Sequence, residues 1–197
     1  MGVVKLSTAG ILDYSKTSNF LSGNAPVSFG SFDLLETTTL TSSASSISFT
    51  GLAAYAADYK HLQIRNVSRT DRAGTADDVV YTINGDTGTN YYNHYLRGFP
   101  ASSSTPQSGG FASTIGYFSS RGNDDTTGIF SSGVLDFLDF GNSNKNLTVR
   151  TLNGVNGTTS NPQVIQLIST LWNNTAAMTS VTFRPGSGTN FIAGTRY

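Results

Sequence analysis

From Phe32 onward apolar and polar residues alternate in short runs, broken by clusters of Gly, Asn, Asp or Ser at intervals of about eight to twelve positions. A period of two predicts strands with one buried face. The series opens with Leu34–Leu40 and with Ser46–Thr50, where Ile47 and Phe49 share a face. In Lys60–Arg69, Leu62 and Ile64 oppose His61, Gln63 and Arg65, and Val67 falls on the polar side, which predicts a bulge or twist. Val79, Tyr81 and Ile83 share the next face. The turn Asn84-Gly85-Asp86-Thr87-Gly88 then leads into Tyr91–Leu96, and an Asn-Gly pair between apolar runs predicts a hairpin.

Pro100 to Gly110 reads as a loose segment, followed by short Thr114–Phe118. Gly128–Phe140 is almost continuously apolar, the pattern of a strand covered on both faces. Leu147–Leu152, Val164–Trp172, Met178–Phe183 and Phe191–Tyr197 complete the set. No i, i+3, i+4 apolar stripe is sustained, and Leu52–Tyr59 offers one helical turn at most. Nine or ten strands without crossover helices predict an all-β domain, an antiparallel β-sandwich of jelly-roll type, over residues 32–197. Residues 1–31 carry Gly, Ser, Asn and small apolar residues without period, interrupted by Pro26. They read as an extended N-terminal arm that gains order by lying on a partner, with Phe20 and Leu21 as its candidate interaction residues.

Composition narrows the function classes. Only 12% of residues are charged and the formal net charge is zero, so no long-range field would steer nucleic acid or an anionic membrane to the chain. A surface of hydroxyls and amides carries little repulsion against self-association. With no cysteine there is no disulfide, thiolate nucleophile or sulfur-bound metal. The first residues lack the apolar core of a secretory signal, and no run approaches the roughly 18 apolar residues of a membrane span.

Candidate chemistry is sparse. His61 and His94 are the two histidines, each placed for a structural role. Asp86-Thr87-Gly88 matches the loop of aspartic proteases but has no second copy to share a proton, and reads as a turn. Asp136 and Asp139 stand in an apolar run, three apart and so on opposite strand faces, and are expected in structural ion pairs with Arg65, Arg69 or Arg150. Asp77-Asp78, Asp124-Asp125 and Asp86 read as loop carboxylates able to offer oxygen to Ca²⁺, without a twelve-residue ligand pattern. No metal or cofactor is therefore expected. Asn-x-Ser/Thr tripeptides at Asn66, Asn146, Asn156 and Asn173 read as unglycosylated.

Longer strings carry a resemblance. Lys60-His61-Leu62-Gln63-Ile64-Arg65 is followed by Ile83-Asn84-Gly85-Asp86-Thr87-Gly88 with Asn90-Tyr91, then by Leu135-Asp136-Phe137-Leu138-Asp139-Phe140 with Asn142, Asn144 and Lys145. Thr148-Val149-Arg150, Leu171-Trp172 and Met178-Thr179-Ser180-Val181-Thr182 close the order. Over about residues 30 to 197 this resembles a family of virion structural proteins of tailed phages from marine and freshwater bacteria, cyanophages among them. The resemblance implies a virion structural protein, capsid-decorating or tail-associated, with no catalytic residues. A non-enzymatic capsid decoration or cement protein on the particle exterior, assembled in the host cytoplasm, is the leading expectation, because an ordered arm would add buried area at a joint between capsid subunits. Its partners would be major capsid or tail proteins and its own copies, a trimer by analogy. The alternative is a tail or tail-fibre protein that binds host glycans, for which Tyr91, Tyr92 and Tyr95 are the candidate aromatic contacts.

Overall fold

A computed structural model describes residues 32–99, 102–157 and 163–197, with the side chains of 102–112 excepted. The expected arm, with Phe20 and Leu21, lies outside the described residues. Thr38–Tyr197 forms one compact unit, which begins six residues after the boundary read from the sequence at 32.

Among the described residues, ten strands build two antiparallel sheets. They are β1 (Ile47–Phe49), β2 (Leu62–Ser68), β3 (Ala76–Ile83), β4 (Tyr91–Phe99), β5 (Ser102–Ser113), β6 (Gly116–Arg121), β7 (Ser131–Leu138), β8 (Leu147–Val155), β9 (Val164–Trp172) and β10 (Val181–Pro185). One sheet has the order β1-β10-β3-β6 and the other β2-β7-β8-β9-β4-β5. With the hairpin β7–β8 set aside, eight strands remain, and they trade between the sheets as in a double Greek key. The fold is a jelly-roll β-sandwich carrying one inserted hairpin in its larger sheet. A single 3₁₀ turn, Leu52–Tyr55, answers the one helical turn expected there.

Alternation builds the core. Val79, Tyr81, Ile83, Phe118 and Phe183 of the smaller sheet face Leu135, Phe137, Val149, Ile168 and Trp172 of the larger, all fully or almost fully buried. Tyr81 meets Phe137 edge-on, ring centres 6.0 Å apart, across the two layers. A Cβ at Gly116 would run into the Tyr81 ring, so this glycine is what lets the tyrosine lie flat on β6.

Several expectations give way. Asn84 and Gly85 both adopt positive φ, 53° and 68°, as an Asn-Gly turn requires, yet β3 and β4 belong to different sheets and form no hairpin. The Asn84 side chain redirects the chain instead. Its Oδ1 accepts the N–H groups of Thr179 (2.7 Å) and Ser180 (3.1 Å), and its Nδ2 donates to Ala177 O (2.9 Å). The segment 100–110, read as loose, supplies most of β5, a strand of Ser, Thr and Gly that hydrophobic periodicity cannot register. Residues 34–40 and 191–197 form no strand; Thr39, Phe191 and Arg196 make only isolated bridges. Val67 needs no bulge, since β2 and β7 pair without a register shift from Leu62 to Ser68. Strand β7 is not covered on both faces, because its residues alternate between buried and partly exposed. Asp77 and Asp78 lie in β3 rather than in a loop.

Candidate interaction surface

The larger sheet inverts the usual polarity toward one end. On its inner face Asn66, Asn153 and Gln166 form a buried row of amides from β2, β8 and β9, each at most 3% exposed. Asn153 Nδ2 donates to Ser132 O (3.0 Å) and Gln166 Oε1 accepts from Ser119 N (3.1 Å). Polar groups are costly inside, and this row is only partly satisfied: both polar atoms of Asn66, Asn153 Oδ1 and Gln166 Nε2 are buried without a hydrogen-bond partner. Leu152 of β8 and Leu167 of β9 point outward instead.

Pairing registers place that outer face residue by residue. One row runs Arg65, Val134, Leu152, Leu167 and Leu96 across β2, β7, β8, β9 and β4. Leu152, Leu167 and Leu96 are 54%, 53% and 47% exposed, far from buried although central in their sheet. The row on one side holds Val67, Ser132, Gly154, Ile165 and Gly98, with Ile165 61% exposed. The row on the other side is polar: Gln63, Asp136, Arg150, Ser169 and His94. Beyond it come Leu138, Thr148, Leu171 and Tyr92. Of the nine exposed large apolar side chains among the described residues, six (Val67, Tyr92, Leu96, Leu152, Ile165 and Leu167) share this face, the others being Phe32, Leu34 and Phe99. Contiguous apolar surface of this kind marks a contact region, whereas isolated exposed leucines mark nothing.

The tyrosines read as one aromatic platform do not form one. Tyr91 is buried, accepts Ile83 N at 2.8 Å and donates to Asp86 O at 3.2 Å. Tyr92 projects from the outer face. Tyr95 points to the inner side, edge-on to Tyr117 at 6.0 Å and beneath the Arg97 guanidinium at 4.4 Å. Consecutive strand residues face opposite ways, so Tyr91 and Tyr92 cannot share a surface.

The acidic candidates also find other partners than expected. Asp136 accepts from Gln63 Nε2 (2.8 Å), and Gln63 Oε1 accepts from Arg65 Nε (2.8 Å), so Arg65 reaches the carboxylate through an amide. Arg150 stands opposite Asp136 in the β7–β8 register. Asp139 lies past the end of β7 with φ 53° and pairs with Lys145, not with Arg65, Arg69 or Arg150. The hydrogen bond from Lys145 holds its carboxyl below the usual carboxylate range, and burial opposes this. His61 Nδ1 takes the Asp139 N–H at 2.9 Å, a bond that requires this nitrogen unprotonated. Arg69 is buried and donates to the carbonyls of Asn123, Asp125, Thr126 and Ile129 at 2.7–3.2 Å.

Other carboxylates serve the backbone. Asp77 accepts from Thr70 Oγ1 (2.8 Å), Ser187 N and Gly188 N (both 3.0 Å), and Asp71 from Thr189 N (2.7 Å) and Asn190 N (2.9 Å). Asp125 meets Arg121 Nε at 2.9 Å, both side chains fully buried. Among the described residues no three His, Asp or Glu side chains converge as metal ligands. A cavity of about 390 Å³ opens between Tyr59, Lys60, Asp139, Asn142 and Asn144. The outer face escaped the sequence reading because alternation shows that two faces differ without showing which one is inside. The signal available was Val67 among polar neighbours, together with leucines in phase with Arg150 and Ser169. Compared with known proteins, the chain matches no family model, no curated protein and no solved structure.

Proposed function

We propose that this protein is a non-enzymatic structural component of a tailed-phage virion, a capsid decoration protein that packs against neighbouring subunits through the outer face of its larger sheet. The observation that carries the reading is the row of Leu152, Leu167 and Leu96, half exposed at the centre of a six-stranded sheet. Fully burying a leucine is worth about 1.5–3 kcal/mol, so covering a side chain already half buried gains about half of that. The resemblance of residues 30–197 supplies the virion setting. Jelly-roll sandwiches occur in viral shells and in lectins, an analogy of architecture only.

The experiment is binding of the purified full chain to capsids lacking it, compared with a Leu152→Asp variant. Saturable binding that the substitution abolishes supports a place on the head. No binding to heads moves the protein to the tail, where the second reading applies. That reading is recognition of host glycans, favoured by the cavity at Tyr59, Asp139, Asn142 and Asn144, which joins an aromatic ring to carboxylate and amide groups. A glycan array with a selective hit lost on Tyr59→Ala would support it.

A further inference from the structure

We infer that the outer face of the larger sheet is covered by the same face of a second copy, with the two-fold axis parallel to the strands and midway between β8 and β9. The inference deepens the structural reading by naming the partner at this face. In the order β2-β7-β8-β9-β4-β5, that axis lies at the centre of the sheet, with three strands on each side. It exchanges β8 with the partner's β9, and β7 with the partner's β4. The apolar row then meets itself: Leu152 lies opposite Leu167 of the partner subunit, and Val134 opposite Leu96 of the partner subunit.

The flanking polar row decides for a copy of this chain over an unrelated apolar surface. Asp136 on β7 and His94 on β4 occupy the same row at equal distances from the axis. The two-fold therefore brings each carboxylate opposite an imidazole, a pair that hydrogen-bonds whether or not the ring is protonated. Arg150 falls opposite Ser169 of the partner subunit, so within this row no like charges meet. A docking partner of arbitrary sequence would have no reason to match this pattern, whereas a second copy matches it by symmetry.

Shape and size agree. A face covered by the same face of one other copy makes a closed isologous pair; three copies cannot cover one another in this way. Six strands about 4.8 Å apart and four side-chain rows about 6.8 Å apart span roughly 29 by 27 Å. That is close to the ~800 Å² per partner typical of a specific interface. Packed sheets stand about 10 Å apart at an angle near 30°, which keeps opposing rows in contact around the axis.

The test uses the free full chain, away from any capsid, so that it stands or falls separately from the virion reading. Sedimentation equilibrium is expected to give a dimer, weakened roughly 30-fold or more by Leu152→Asp or Leu167→Asp with an unchanged far-UV spectrum. The cysteine-free sequence allows a second measurement that leaves the fold undisturbed. Val134→Cys mixed with Leu96→Cys is expected to join through a short bismaleimide, while Val134→Cys alone, roughly 14 Å from its own mate along the sheet, is not. A monomeric full chain overturns the inference and returns the face to a capsid or tail protein. A trimer indifferent to Leu152→Asp overturns it as well, as does efficient Val134→Cys self-linking.

Discussion

The carboxylate of Asp86 accepts the indole N–H of Trp172 at 2.7 Å, the amide of Asn90 at 2.9 Å and Gly88 N at 2.8 Å, and so ties the turn after β3 to the end of β9. The Trp172 bond, opposed by burial and aided by Asn90 and Gly88, holds its carboxyl below the ordinary value of 3.8. A lowered folded-state pKa gives stability that is fully present above the unfolded value and is lost as pH falls through the folded one. Asp86→Asn should therefore cost about 1–2 kcal/mol near neutral pH, and the gap to the parent should close as acid protonates the parent's carboxyl. Urea unfolding followed by the emission of Trp172, the single tryptophan, measures both ends of that range. A gap constant down to pH 2.5 would show that the charge of Asp86 is not what the turn uses. The Asp-Thr-Gly string thus has a physical reason to exist as a turn, as its polar surroundings in the sequence indicated.

At the scale of elements, buried arginines do what a hydrophobic core cannot do for a loop. The stretch 122–129 between β6 and β7 offers four carbonyls to Arg69, and a buried guanidinium is the one side chain with enough donors to hold them together. Replacing it by methionine, similar in length but without donors, is expected to cost about 3–5 kcal/mol. It should also open the 122–129 loop to limited proteolysis before the sheets unfold. Cleavage no faster than in the parent at equal stability would mean the loop is held by other contacts. Legibility in the sequence follows the same physics. Strand β9 was read to the residue, because Val164, Ile168 and Trp172 are apolar and in phase. Strand β5 was missed, because Ser102–Ser113 forms by backbone pairing with β4 and carries almost no apolar signal. The Asn84-Gly85 geometry was legible, but its consequence was not: a change of sheet depends on Asn84 reaching residues more than ninety positions away. The face of the larger sheet was hidden for a related reason. Asn66, Asn153 and Gln166 are interior while Leu152 and Leu167 are exposed, the reverse of what the polarity of the side chains alone would assign.

For the whole molecule, a net charge of zero and a charged fraction of 12% determine how association should respond to salt. Contacts between charged surfaces weaken as salt shortens the screening length from about 10 Å at 0.1 M to about 3 Å at 1 M. A contact made by Val134, Leu152, Leu167 and Leu96 has no such dependence, and excluded salts such as sulfate strengthen apolar burial. The Asp136 and His94 pairs at its margin are exposed enough to contribute only ~0–1 kcal/mol each. Self-association of the full chain is therefore expected to change less than about threefold between 0.05 and 0.5 M sodium chloride, and to tighten in sodium sulfate. Sedimentation across the two salts reads this directly. Steep weakening in chloride would place the contact elsewhere, on the lysine-bearing surface around Lys60 and Lys145, and the leucine face would then need a different partner. Insensitivity to chloride combined with tightening in sulfate fits a sheet whose Leu96, Leu152 and Leu167 are covered only when a neighbour arrives.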